Sequence, residues 1–273
     1  MTECSISNLG TCIVDKLFEF ILYLLNLPLK QLLGYIRDFL IKPVNINLFS
    51  ESWAIIIYIL SLTYGLILLF IGLKFIISGY SPEQKERAKI WLANVLVMIV
   101  LVQASFILYE IILDLVASFS GVIYNMIPSS FFLITVGTFE NVALELFLLI
   151  PYVITLITTL ILLSLRYICV SIGVIFFAIG IFLYYIEPLK AYGKLILNFL
   201  GVLISLPFFY SMILLASSKF LSVEVFSDTK ILVMIGGFTL VNTITIILLL
   251  FVIIKAALAV KTPIKQIQSI LPQ

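Results

Sequence analysis

Long apolar runs separated by short polar breaks set the pattern of this chain. Two of them, 52–78 and 90–119, flank the loop Gly79-Tyr80-Ser81-Pro82-Glu83-Gln84-Lys85-Glu86-Arg87-Ala88-Lys89. Each run has about the ~20 residues that cross a ~30 Å hydrocarbon core. A backbone in lipid must satisfy its own hydrogen bonds, so such runs predict helices. Ser81-Pro82-Glu83 reads as a helix start, with a hydroxyl cap, proline at the first position and an acid in the first turn. The second helix is therefore expected to begin in water at Pro82 and to enter the membrane near Trp91. Trp53 and Trp91 each stand where an apolar run opens, as interfacial anchors do. Four further runs follow at 141–164, 167–186, 195–221 and 231–254, separated by Arg166 and by the polar segments 187–194 and 222–230. The predicted fold is an all-α polytopic transmembrane helical bundle over 48–260, with a short basic tail over 261–273.

The first 47 residues differ from the rest. Residues 1–12 are polar and hold Cys4 and Cys12, which are either free thiols or a small disulfide loop on an oxidising face. Residues 13–47 are too interrupted to span. On a helix, Asp15, Glu19, Asn26, Lys30 and Arg37 fall within about 60° of one another. An amphipathic interfacial segment is predicted, as one helix or as two with a kink at Pro28, lying in the interface or packed beside the bundle.

Charge in the short loops orients the spans. Lys85, Arg87 and Lys89 place the central loop inside, and Lys190, Lys194 and the C-terminal lysines prefer the same side. The segment 222–230 has two acids and one lysine and suits the outside. Six simple crossings cannot meet all these preferences. Either 123–139 inserts as a re-entrant or spanning piece, or 141–186 crosses once, bent around Arg166. The first is the preferred expectation.

Composition narrows the chemistry. The 273 residues are 63% hydrophobic and only 11% charged, against roughly 25% charged in soluble domains. Histidine is absent, which removes the commonest neutral-pH acid–base group and metal ligand. A hydrolytic triad and an H-E-x-x-H site are excluded, and there is no phosphate-binding G-x-x-x-x-G-K-[ST] loop. Catalytic residues, cofactors and metal sites are not expected, and the protein is not expected to be an enzyme. A cleavable signal is not expected, since Met1-Thr2-Glu3-Cys4 is not a basic region before an apolar one.

Several residues invite a functional reading. Gln103, Glu110, Asp114 and Gly121 share one helix face within about 20° of Gln103. This intramembrane polar stripe either lines a conduit or ion-coupled site, or ends in the outer headgroup region. Arg166 is the expected partner of Asp114 if both lie at the outer side. Lys85, Arg87, Lys89, Lys190 and Lys194 form either a solvated inner face or a docking site for a partner or for phosphate. Gly65 with Gly72, and Gly173 with Gly180, are expected at close helix contacts. Asn198, Asn242 and Thr243 are expected to bond between helices, and Cys169 to be a small buried side chain.

The pattern Ser81-Pro82-Glu83, Arg87-Ala88-Lys89, Trp91-Leu92 and Asn94 before a long apolar helix resembles the TrbL-type polytopic membrane components of conjugation and type IV secretion machines. Over roughly 50–260, hydropathy and spacing resemble the CedA-type membrane components of the crenarchaeal DNA-exchange (Ced) system more closely still. The resemblance implies a homo-oligomeric channel or scaffold for DNA import in the cell membrane of an archaeon. It also implies small two-helix membrane subunits and a separate HerA/FtsK-like cytoplasmic ATPase, with membrane lipids around the bundle and DNA as the transported species. The alternative is an ion-coupled small-molecule transporter that uses Glu110, Asp114 and Glu145.

Overall fold

The computed structural model describes residues 9–77, 82–133, 142–223, 226 and 229–268. Within them the chain is helical, and no strand occurs among the described residues. The helices are α1 (Leu9–Ile41), α2 (Ser50–Ile77), α3 (Pro82–Gln103), α4 (Ser105–Tyr124), α5 (Val142–Tyr185), α6 (Lys190–Phe220) and α7 (Lys230–Gln268). Five segments are long and apolar enough to cross a membrane: Asn47–Ile77, Ser105–Tyr124, Phe147–Tyr185, Glu187–Phe220 and Lys230–Lys255. The protein is an all-α polytopic membrane bundle.

Three expectations change. The run 90–119 is divided at Ala104 into α3 and α4, although Ala104 still donates to Val100 O and Leu108 to Ala104 O, at 2.9 and 3.0 Å. The runs 141–164 and 167–186 are one 44-residue helix, α5, because neither Pro151 nor Arg166 breaks it. That continuity agrees with the second of the two topologies weighed above, in which 141–186 crosses once. In place of a half-helix at 123–139, the described part holds a short 3-10 turn, Ser129–Phe132. Residues 134–141 lie outside the described residues. At the chain's end, α7 runs without a break from the last apolar run to Gln268.

The chain divides into two compact units. The first comprises residues 1–42, 117–165 and 207–246. Pro28 does not interrupt α1, which buries Leu29, Leu33, Ile36 and Leu40 at helical spacing while Lys30 and Arg37 stay exposed. The aromatic core of this unit includes Tyr124 stacked on Phe132 at 5.7 Å, with Phe132 and Tyr152 each 6.2 Å from Phe238. Lys230 Nζ donates to the carbonyls of Ser130 and Leu133, both at 2.7 Å, so the turn after α4 is tied to the start of α7. Polar bonds join the helices, as packing in lipid favours. Thr159 donates to Asn242 Oδ1 at 2.9 Å, Asn242 Nδ2 donates to Thr155 O at 3.2 Å, and Tyr210 shares a hydrogen bond with Thr245. Asn242 is thus the interhelical bond expected of it. Thr243 instead donates to Thr239 O on its own helix, and Asn198 is exposed.

The second unit comprises residues 43–116, 166–206 and 247–273. Its core gathers Ile57, Leu60, Tyr64 and Ile71 of α2, Val95, Met98 and Val102 of α3, and Ala178, Ile181 and Phe182 of α5. Trp53 donates to Ser105 Oγ at 2.9 Å and meets Phe106 edge-on at 5.3 Å. Tyr109 donates to Val170 O at 2.8 Å and leaves no room for a side chain at Gly173. A Cβ at Gly193 would strike the backbone of Tyr184 and lie 2.7 Å from Gly180 O, so α5 and α6 meet backbone to backbone there. Gly65 and Gly72, expected at a helix contact, face open space.

Candidate functional site

The second unit carries a cation-bearing face built from three helix ends. Pro82 opens α3 with Glu83 in its first turn, where the helix dipole favours an acid. Glu83 accepts from Arg87 one turn later at 2.9 Å. Lys85, Arg87 and Lys89 are all exposed. Trp91, half-buried, donates its indole N–H to Glu187 Oε1 at 3.2 Å, which joins the start of α3 to the turn that opens α6. Lys74, at the end of α2, places its ammonium 4.3 Å from the centre of the Trp91 ring, a cation–π contact. Lys190 sits 5.4 Å from the ring centre of Tyr184, and Lys194 is exposed one turn further along α6. The Trp91–Glu187 bond therefore joins the segments holding all five cations read from the sequence as a docking surface. Lys74 and Glu187 are the members that reading missed. Lys74 is the single charged residue of the run 52–78, and nothing in the sequence pairs Glu187 with Trp91.

Two cavities adjoin this face. One, of about 380 Å³, is walled by Leu66, Phe70, Ile71, Val95, Tyr185 and Pro188. The other, of about 840 Å³, is lined by Lys74, Gln84 and Arg87 among others. Trp91, Asn94 and Glu187 line both.

The polar stripe behaves differently. Gln103 precedes the break at Ala104, and Glu110 and Asp114 follow it on α4. All three are exposed, with Ile107, Ile111 and Leu115 exposed beside the two carboxylates. They do not converge on an interior site. The expected pair of Asp114 with Arg166 is not formed. Arg166 is buried and donates Nε to Leu203 O at 2.7 Å and a terminal nitrogen to Ile204 O at 3.4 Å. Cys169 is exposed on α5 rather than buried. Cys4 and the Cys12 side chain lie outside the described residues, and with them the disulfide reading. Among the described residues no group of His, Cys, Asp and Glu could hold a metal ion.

These features define a multi-pass helical membrane protein with a cationic patch at one of its units. No family model, curated protein or solved structure matches the chain. The likeness to TrbL-type components therefore rests on the hydropathy spacing and the 81–94 pattern.

Proposed function

We propose that the chain is a non-enzymatic, homo-oligomeric scaffold or channel subunit of a DNA-transfer apparatus in the cell membrane. A separate HerA/FtsK-like ATPase energises it, and small two-helix membrane subunits accompany it. The observation that carries the reading is the cationic face. Lys85, Arg87 and Lys89 on α3, with Lys190 and Lys194 on α6, belong to one unit whose two basic segments are fixed to each other by Trp91 and Glu187. Repeated around an oligomer axis, such a face sums into a positive field that attracts phosphate or an acidic partner. The resemblance described above supplies the DNA-transfer part of the reading.

The transporter reading gains less support. A coupling carboxylate is sheltered from lipid and faces an interior cavity, whereas Glu110 and Asp114 are exposed on α4. In a bilayer those carboxylates call for a neighbouring helix, which agrees with assembly into an oligomer or with a two-helix subunit.

The test is co-purification with a HerA/FtsK-like ATPase from the same genome. The wild-type chain is expected to retain the ATPase, and Lys85→Glu with Lys89→Glu is expected to release it while membrane levels hold. Retention by the charge-reversed chain removes the docking role.

A further inference from the structure

We infer that the paired cavities beside Trp91 form a binding site for one anionic phospholipid of the surrounding bilayer, its acyl chain in the smaller cavity and its phosphate in the larger. The two halves differ in chemistry in the way an amphiphile does. The cavity of about 380 Å³ is walled almost wholly by hydrocarbon and aromatic side chains of α2, α3 and the end of α5. The cavity of about 840 Å³ presents Lys74, Arg87, Gln84 and Asn94. Since Trp91, Asn94 and Glu187 line both, the apolar and polar parts are contiguous.

The junction is held in shape. Trp91 is fixed by its bond to Glu187 on one edge and by Lys74 over its face. Tryptophan at the boundary between an apolar slot and a wet one is the usual partner of the headgroup layer. Lys74 and Glu187 are both exposed, as is the Arg87–Glu83 pair. An exposed pair of that kind is worth little, and a phosphate that accepts a guanidinium fork replaces the carboxylate with a stronger, bidentate bond. Lys74 and Arg87 against Glu187 leave the cavity lining with one net positive charge, which favours an anionic headgroup over a zwitterionic one that carries the same phosphate. This site goes beyond the docking role given to Lys85 and Lys89, which line neither cavity.

The chain has two tryptophans, so Trp53→Phe leaves Trp91 as the only indole, excited selectively at the red edge of the absorption band. That protein, reconstituted in phosphatidylcholine vesicles, is titrated with phosphatidylglycerol or phosphatidylcholine brominated on the acyl chain, a contact quencher of indole emission. Half-maximal quenching is expected at about fivefold less brominated phosphatidylglycerol, a preference of the size one net cation gives. Lys74→Gln with Arg87→Gln is expected to abolish it. Equal quenching by the two lipids, or a preference that survives the double substitution, overturns the site. A preference erased by millimolar inorganic phosphate overturns the lipid assignment in favour of a free phosphate. Should Trp53→Phe fail to fold, native mass spectrometry of the wild-type chain with the same two unbrominated lipids makes the comparison. Selective retention of phosphatidylglycerol, lost in the double variant, supports the site, and equal retention overturns it.

Discussion

Pro207 and Arg166 show how one residue's deficit is met by another. Proline has no N–H, so inside α6 it leaves the carbonyl four residues earlier, that of Leu203, without its helical donor. Arg166 Nε donates to that carbonyl at 2.7 Å. An unsatisfied carbonyl in a dry bundle costs about 1–3 kcal/mol, and a buried guanidinium needs acceptors in return. The pair meets both needs. Arg166→Met is expected to lower the melting temperature in detergent. In a Pro207→Ala background, where residue 207 regains a donor for Leu203 O, the same change is expected to cost less. A coupling of about 1 kcal/mol or more between the two substitutions carries the account. Additivity within about 0.5 kcal/mol would show that Arg166 serves some other purpose.

At the scale of elements, the hairpin of α5 and α6 depends on small residues where the helices touch. Gly193 meets the backbone of Tyr184, not a movable side chain. Gly193→Ala is therefore expected to force the helices apart and to lower stability by about 1–3 kcal/mol, as overpacking does. Gly201, on the same helix with nothing within 4 Å of its would-be Cβ, is the control. Gly201→Ala is expected to be neutral or stabilising, since alanine is the better helix former. Equal thermal melts for the two variants would remove the close contact from the account. The elements themselves were legible from hydropathy, because period and length depend on sequence alone. Pro82 opens α3 as its spacing predicts. What could not be read was continuity. Arg166 breaks an apolar run, yet its acceptors lie 37 and 38 residues away on α6, so α5 runs straight through. The break at Ala104 falls inside an apolar run that carries no proline or glycine there. In the candidate site the exposed cations could be listed in advance. The indole and carboxylate that join their segments are 96 residues apart and could not.

For the whole molecule, one long α5 in place of two spans changes the crossing parity. If all five candidate spans cross, residues 78–89, the 187–194 turn and the C-terminal segment share one side of the membrane. Lys85, Arg87 and Lys89, then Lys190 and Lys194, then Lys261 and Lys265 all follow the positive-inside rule. The opposite side receives 125–141, with no lysine or arginine, and 221–229, with Glu224 and Asp228. The N-terminal region opposes this arrangement with Arg37 and Lys42. Topology is therefore decided by a majority of loops, and it can be measured. In a chain with Cys4, Cys12 and Cys169 replaced by serine, Asn125→Cys and Ser222→Cys are expected to react with a membrane-impermeant maleimide on intact cells. Ala191→Cys is expected to react only after permeabilisation. Reaction of Ala191→Cys from outside would put the cationic face on the wrong side for a cytoplasmic ATPase. The docking role of α3 and α6 would then fall together with the five-crossing arrangement, since both require those lysines to meet the cytoplasm.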